Sequence, residues 1–308
     1  DLLISHHPLT LQGLKNLRPD SYVKRCLIKA IRHNLNIYSA HTNLDAVLHG
    51  VSGRMADKLG LQNRKILQPA GKLYSLAFYT PAAAVAKAEE VRQAVLGVGG
   101  GHIGNYSHCS FNQKGEGTFH AEAGSHPYVG VIGTLHREEE IKTEITVPEY
   151  LLSKSIETLL KVHPYEEPVW NIVNLDNTNP VTGFGIIGEL AEPADSLTFL
   201  QQVKKTFRCK VVRHTAICKS QIRKVAVCGG AGAFLMPLAI RNHADVFITG
   251  EIKYHDYFGH DTDILLAEIG HYESEQFTKE IFYELVTKKI SNFAIQFSKV
   301  ETNPIHYL

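Results

Sequence analysis

Between residues 72 and 175 the chain reads strand, helix, strand and again strand, helix, strand. This block interrupts a run of alternating strands and helices that resumes after Asn179-Pro180. The nesting limits the fold more than any other feature. Residues 72–80 read as a strand. Pro81 sits where a helix should begin, and the alanine-rich stretch 82–96 carries Val85, Ala88, Val91 and Val95 at helical spacing. A glycine cluster (Gly97, Gly99, Gly100, Gly101, Gly104) leads into 107–111, and a polar stretch fills 112–130. Then 140–147 alternates as a strand, 148–162 has helical spacing and 169–175 reads as a last strand. The order predicts a self-contained ferredoxin-like α+β domain over 72–175. The flanking segments, 1–71 and 176–308, predict one discontinuous three-layer α/β domain with a mostly parallel sheet.

The strands of the flanking domain end in unusual company. Leu2-Leu3-Ile4 reads as a core strand and runs into Ser5-His6-His7-Pro8. Pro8 biases His7 towards extended backbone, so His6 and His7 point to opposite sides. That suits two ions, or one ion and a hydrogen bond; a polar loop with incidental histidines is the alternative. Residues 36–40 read as a strand ending in His41-Thr42-Asn43-Leu44-Asp45, after a helix over 21–33. A helix over 52–60 follows, closed by Gly60. Further on, 184–190 reads as a strand, 197–207 as a helix and 210–213 as a short strand.

The buried strand 224–228 runs into Gly229-Gly230-Ala231-Gly232. That turn fits either an anion held by backbone N–H groups or tight packing, and packing is the preferred reading. Val246-Phe247-Ile248 leads to Glu251, Lys253, His255 and Asp256. The apolar run 263–269 hands over to Gly270-His271-Tyr272-Glu273-Ser274-Glu275 and then to a helical pattern through Phe277, Ile281, Phe282, Leu285 and Val286. Residues 293–300 read as a final strand. His271 and Glu275, four apart, share a helix face and can grip a metal; a solvated helix start favoured by the macrodipole is the plainer alternative. In open α/β sheets ligands gather at the carboxyl ends of strands.

Composition narrows the chemistry. With 32 basic and 31 acidic side chains, no charge surplus points to nucleic acid or an anionic membrane. No apolar run is long enough to span a bilayer. The five cysteines are scattered without a CxxC pair, which excludes a zinc finger and a disulfide framework and fits reduced thiols. The seventeen histidines turn the metal question towards imidazole and carboxylate. Mixed N/O ligation suits zinc, iron, manganese, cobalt or nickel. Gly99-Gly100-Gly101-His102 lacks the context of a phosphate loop or dinucleotide fingerprint.

Taken together, SHHP, HTNLD, ITGE with His255, and Gly270-His271 with Glu275 resemble the NGG-interacting-factor-three-like family, whose members are also called GTP cyclohydrolase I type 2 homologues. In the middle domain, GHIGNYSHCSF from Gly101 to Phe111, GEGTF from Gly115 to Phe119 and HPYEEP from His163 to Pro168 resemble the insertion of the longer members. The resemblance spans essentially the whole chain, in order. It implies a centre with two divalent metal ions, held by His6, His7, Asp45, His271 and a bridging Glu275. His41 and His255 would be catalytic, as supporting or proton-transfer residues, or else would make only structural hydrogen bonds. Tyr272 and Glu273 belong to the helix start.

Open coordination positions would suit a metal-assisted hydrolase acting on a nucleotide-like or phosphoester small-molecule substrate, with cyclohydrolase activity expected from the family label only. The alternative is a regulatory, transcriptional corepressor-like interaction protein whose metals are structural or vestigial. A third reading is a small-ligand sensor built on the inserted domain, which resembles ring-forming signalling proteins. The resemblance further implies a toroidal homohexamer. The expected location is cytoplasmic, or else nuclear or mitochondrial. Family members carry a further strand and helix before SHHP, so the chain is expected to lack a front end.

Overall fold

A computed structural model of the chain describes residues 1–260 and 262–308, which fall into two compact units, Asp1–Pro69 with Pro180–Leu308, and Ala70–Asn179. The first unit begins with β1 (Leu2–Ser5), α1 (Tyr22–Arg32), β2 (Asn36–Ser39), the single turn α2 (Thr42–Asp45), α3 (Val51–Lys58) and β3 (Gln62–Pro69). The second unit holds β4 (Leu73–Pro81), α4 (Val85–Gly97), β5 (Phe111–His120), β6 (Leu135–Pro148), α5 (Glu149–Val162) and β7 (Trp170–Leu175). The first unit resumes with β8 (Gly183–Asp195), α6 (Ser196–Thr206), β9 (Arg213–His214), β10 (Gln221–Cys228) and α7 (Met236–Arg241). It continues with β11 (Val246–Thr249), β12 (Leu265–Glu268), α8 (His271–Glu275) and α9 (Thr278–Lys289).

The apolar runs of β10, β11 and β12 are continuous because both faces of their sheet are covered. Phe199, Leu200, Val203 and Phe207 pack on one face with Met55 and Ala56. Leu235, Met236 and Ala239 pack on the other with Phe247 and Leu266. The sheet is therefore the middle of three layers. Local signals set the helix starts: Ser21 accepts the Lys24 N–H at the head of α1, and Asp195 accepts the Thr198 N–H at the head of α6.

The six-stranded sheet has the order β3-β8-β10-β11-β12-β9 and is mixed rather than mostly parallel. Within it only β10, β11 and β12 pair in parallel; β8 lies antiparallel to both β3 and β10, and β9 antiparallel to β12. A strand pattern carries no direction, so the expectation had nothing to correct it. β1 and β2 form a separate parallel pair, and Leu2 and Leu3 are about half exposed, not core residues.

The second unit is a four-stranded antiparallel sheet of order β5-β6-β4-β7. Its core joins Leu76, Phe78, Ile145 and Val147 to Val91, Val95 and Leu96 of α4 and Leu159 of α5. Three local expectations fail here and in the tail. The first half of the polar stretch after Phe111 is β5, an exposed edge strand whose two faces both look like loop. Pro81 closes β4, paired with Glu140, and α4 begins only at Val85. Residues 293–300 are not a strand; Phe293 and Val300 are exposed and find no ladder.

Candidate metal centre

The carboxyl ends of β1, β2 and β12 deliver the polar residues. β1 runs directly into His6 and His7, and β2 into His41 and the α2 turn that carries Asp45. After β12 the backbone turns at Gly270, whose φ of +95° favours glycine. A Cβ at Gly270 would also collide with the Glu273 carboxylate folded over it. That turn starts α8, which places His271 and Glu275 on one face, with Glu275 buried.

Glu275 divides its two oxygens. Oε1 lies 3.6 Å from His6 Nε2, which is itself 3.5 Å from Asp45 Oδ1. Oε2 lies 3.0 Å from His7 Nε2 and 3.3 Å from His271 Nε2. The donors thus form two groups around one carboxylate: His6, Asp45 and Glu275, and His7, His271 and Glu275. Within each group one donor atom per residue lies within 4.8 Å of the others. A third group joins His41 to His6 and His7, its ring 5.2 and 5.0 Å from theirs.

The remaining ring nitrogens are fixed by partners that can only accept. His6 Nδ1–H donates to the Ala40 carbonyl at 2.8 Å, and His271 Nδ1–H donates to Glu251 Oε1 at 2.6 Å. Both rings therefore aim Nε2 into the centre. His6 Nε2, His271 Nε2 and Asp45 Oδ1 are buried there without a hydrogen bond. Buried polar atoms are rarely left so. Their donor set, imidazole and carboxylate without thiolate, fits a divalent cation.

The electrostatics agree. Burial would raise the Glu275 carboxyl, but the nearby His271 and His6 imidazoles outweigh it and hold it down at about 2. Glu275, opposed by burial and helped by Glu251, holds His271 up at about 9. Burial pushes the Asp45 carboxyl up, and burial pushes His7 down. A cation entering at neutral pH therefore displaces a proton from His271. The nearby Cys228 thiol is pushed up to about 12 by burial and stays neutral.

All five predicted ligands, together with His41, meet in these groups. His255 belongs to none of them among the described residues. It lies on the wall of a cavity that Glu251, Lys253 and Phe258 also line. Glu273 is buried over Gly270 and also lies outside the groups.

Sequence reasoning missed three supports. Glu251 was visible only as a carboxylate at a strand end, with no sign that it would reach His271. Ser274 accepts the Gly230 N–H at 2.9 Å and donates to the His271 carbonyl at 2.7 Å, tying the glycine turn to α8. Gly230, at φ +62°, lies so close that a Cβ would stand 2.5 Å from Glu275 Oε1. The glycine turn is thus explained by packing. Glu251→Ala should free the His271 ring and weaken metal binding about 10–100-fold, read by chelator competition. Unchanged affinity would mean that the ring is held by something else.

A family profile described as Duf34/NIF3 (NGG1p interacting factor 3) matches residues 1–304. The chain belongs to the Duf34/NIF3 family. Its relatives include a protein of Halalkalibacterium halodurans named GTP cyclohydrolase 1 type 2 homolog, 39% identical over 100% of this chain and 84% of that protein. A Bacillus subtilis protein of the same name is 33% identical, over 100% of this chain and 83% of its own length. Among solved structures, a Bacillus cereus protein related to NIF3 superposes with a TM-score of 0.81 at 35% identity, covering 100% of this chain and 83% of that one. These relatives are bacterial, which leaves the nuclear and mitochondrial expectations without support. Among the described residues no helix is long and apolar enough to cross a membrane.

Proposed function

We propose that this Duf34/NIF3 protein is a metal-assisted hydrolase with two divalent ions, acting on a phosphoester or nucleotide-like substrate. The observation that carries the reading is Glu275, whose two oxygens each face a different group of donors. His6 and Asp45 would hold one ion, His7 and His271 the other, and Glu275 both. Ions bound there would supply polarisation of a substrate oxygen and acidification of water.

The chain's own residues do the rest. His6 and His271 keep their orientation through Ala40 and Glu251. His7 is 53% exposed, so the centre opens to solvent on its side and can admit a ligand. His41 stands beside His7 and is partly exposed, placed to take up or return a proton at that opening. The cyclohydrolase name of the relatives enters as one candidate substrate class, GTP, among nucleotides.

The test is metal content by elemental mass spectrometry, followed by hydrolysis of bis-p-nitrophenyl phosphate and GTP. Turnover is expected with the metal-loaded protein and should vanish after chelation and in His41→Ala. A protein that retains two ions per chain yet turns over no phosphoester or nucleotide would sink the hydrolase reading.

A further inference from the structure

Three stretches that the metal centre leaves unused meet in the inserted unit: Gly115 to Phe119 on β5, Glu140 on β6, and the 163–168 turn after α5. They surround a cavity of about 450 Å³, within the range of small-molecule sites. The turn is built to hold one side chain. His163 is buried; its Nε2–H donates to the Tyr79 carbonyl at 2.8 Å and its Nδ1 accepts the Tyr165 N–H at 3.1 Å. That fixes Tyr165, whose hydroxyl donates to Glu140 Oε1 at 3.0 Å. Glu140 in turn lies over Gly117, where a Cβ would strike its carboxylate. The second glycine of the β5 motif makes room for the Glu140 head group, and the turn motif supplies the tyrosine that orients it.

The walls have one chemical character. Tyr79, Phe119, Tyr128 and Tyr165 contribute rings, with Tyr128 and Tyr165 centred 6.2 Å apart. Glu122, Glu140, Glu166 and Glu167 contribute carboxylates, while no lysine or arginine is among the lining residues. A metal is not the natural guest. Among the described residues, the groups of three or more donors near enough to share an ion all belong to the metal centre, and none includes these carboxylates. Glu122 has an imidazole partner, His120 at 3.3 Å; aromatic faces beside the other carboxylates favour a cation with an organic body.

We propose that this cavity is a second ligand site, taking a protonated amine attached to an apolar or aromatic body. Glu140 receives the ammonium group, and the Tyr128 and Tyr165 rings flank the body. The site is independent of the metal centre and of the hydrolase reading.

Calorimetric titration of the full chain with tryptamine tests this, with indole-3-propionate as the charge-reversed control. Tryptamine should saturate one site per chain and the acid should not bind. Glu140→Gln keeps an acceptor for the Tyr165 hydroxyl but loses the charge, and should weaken tryptamine about tenfold. Tyr128→Ala, at a half-exposed side chain whose loss does not threaten folding, should weaken it about fivefold. Three results would each overturn the proposal: no saturation by tryptamine, equal binding of the acid, or unchanged affinity in both variants.

Discussion

Replacing Glu275 by alanine should strip both proposed metal positions at once. The two groups proposed to hold the ions both have Glu275 as a member, and each faces a different oxygen of the same carboxylate. Removing that carboxylate leaves each of them a single donor pair, His6 with Asp45 and His7 with His271, and only the all-imidazole group of His6, His7 and His41 keeps three donors. The loss in affinity should exceed the roughly 100-fold upper end seen when a supporting residue is removed. Asp45→Ala and His271→Ala should each empty mainly one position. Elemental mass spectrometry after dialysis distinguishes the patterns. Metal retained in full by Glu275→Ala would refute the bridging role.

A second large effect is expected from a residue that offers no ligand atom. Gly230→Ala puts a methyl group 2.5 Å from Glu275 Oε1 and 3.5 Å from the His271 ring. It also forces a non-glycine residue to φ +62°, at about 1–2 kcal/mol. The turn cannot simply back away. Its N–H is held by Ser274 Oγ, and its carbonyl accepts from the Gly250 and Glu251 N–H groups. The carboxylate has to move instead. The variant should melt lower and lose metal from both positions, although every donor remains. A lowered melting temperature with normal metal content would show that the turn, not the carboxylate, absorbs the strain.

The centre was legible because its chemistry is written in short local strings. Adjacent histidines in extended backbone diverge, and His271 and Glu275 share a helix face, wherever in the fold those strings lie. What places the strings together was less legible. β3 went unread because Gln62, Asn63, Arg64 and Lys65 give it a polar first half. β5 was hidden for a similar reason, being an edge strand with both faces in solvent. The direction of β8 depends on its neighbours β3 and β10, which its own residues do not encode. Glu251 looked like any carboxylate after a strand. Its role depends on β11 and β12 lying side by side, which sets the end of β11 next to α8. The false strand at 293–300 shows the converse: an apolar string without a partner strand stays coil, although Phe297 stacks on Tyr283.

The donors come from opposite ends of the chain, His6 to Asp45 before the inserted unit and His271 to Glu275 long after it. On the ribosome the early histidines emerge first and wait while the whole insert is made, and domains tend to fold as they appear. Neither of the two groups that include Glu275 is complete before α8 is made. On the proposed two-ion reading, a chain that stops short of α8 would carry His6, His7, His41 and Asp45 but lack the carboxylate that joins the two groups.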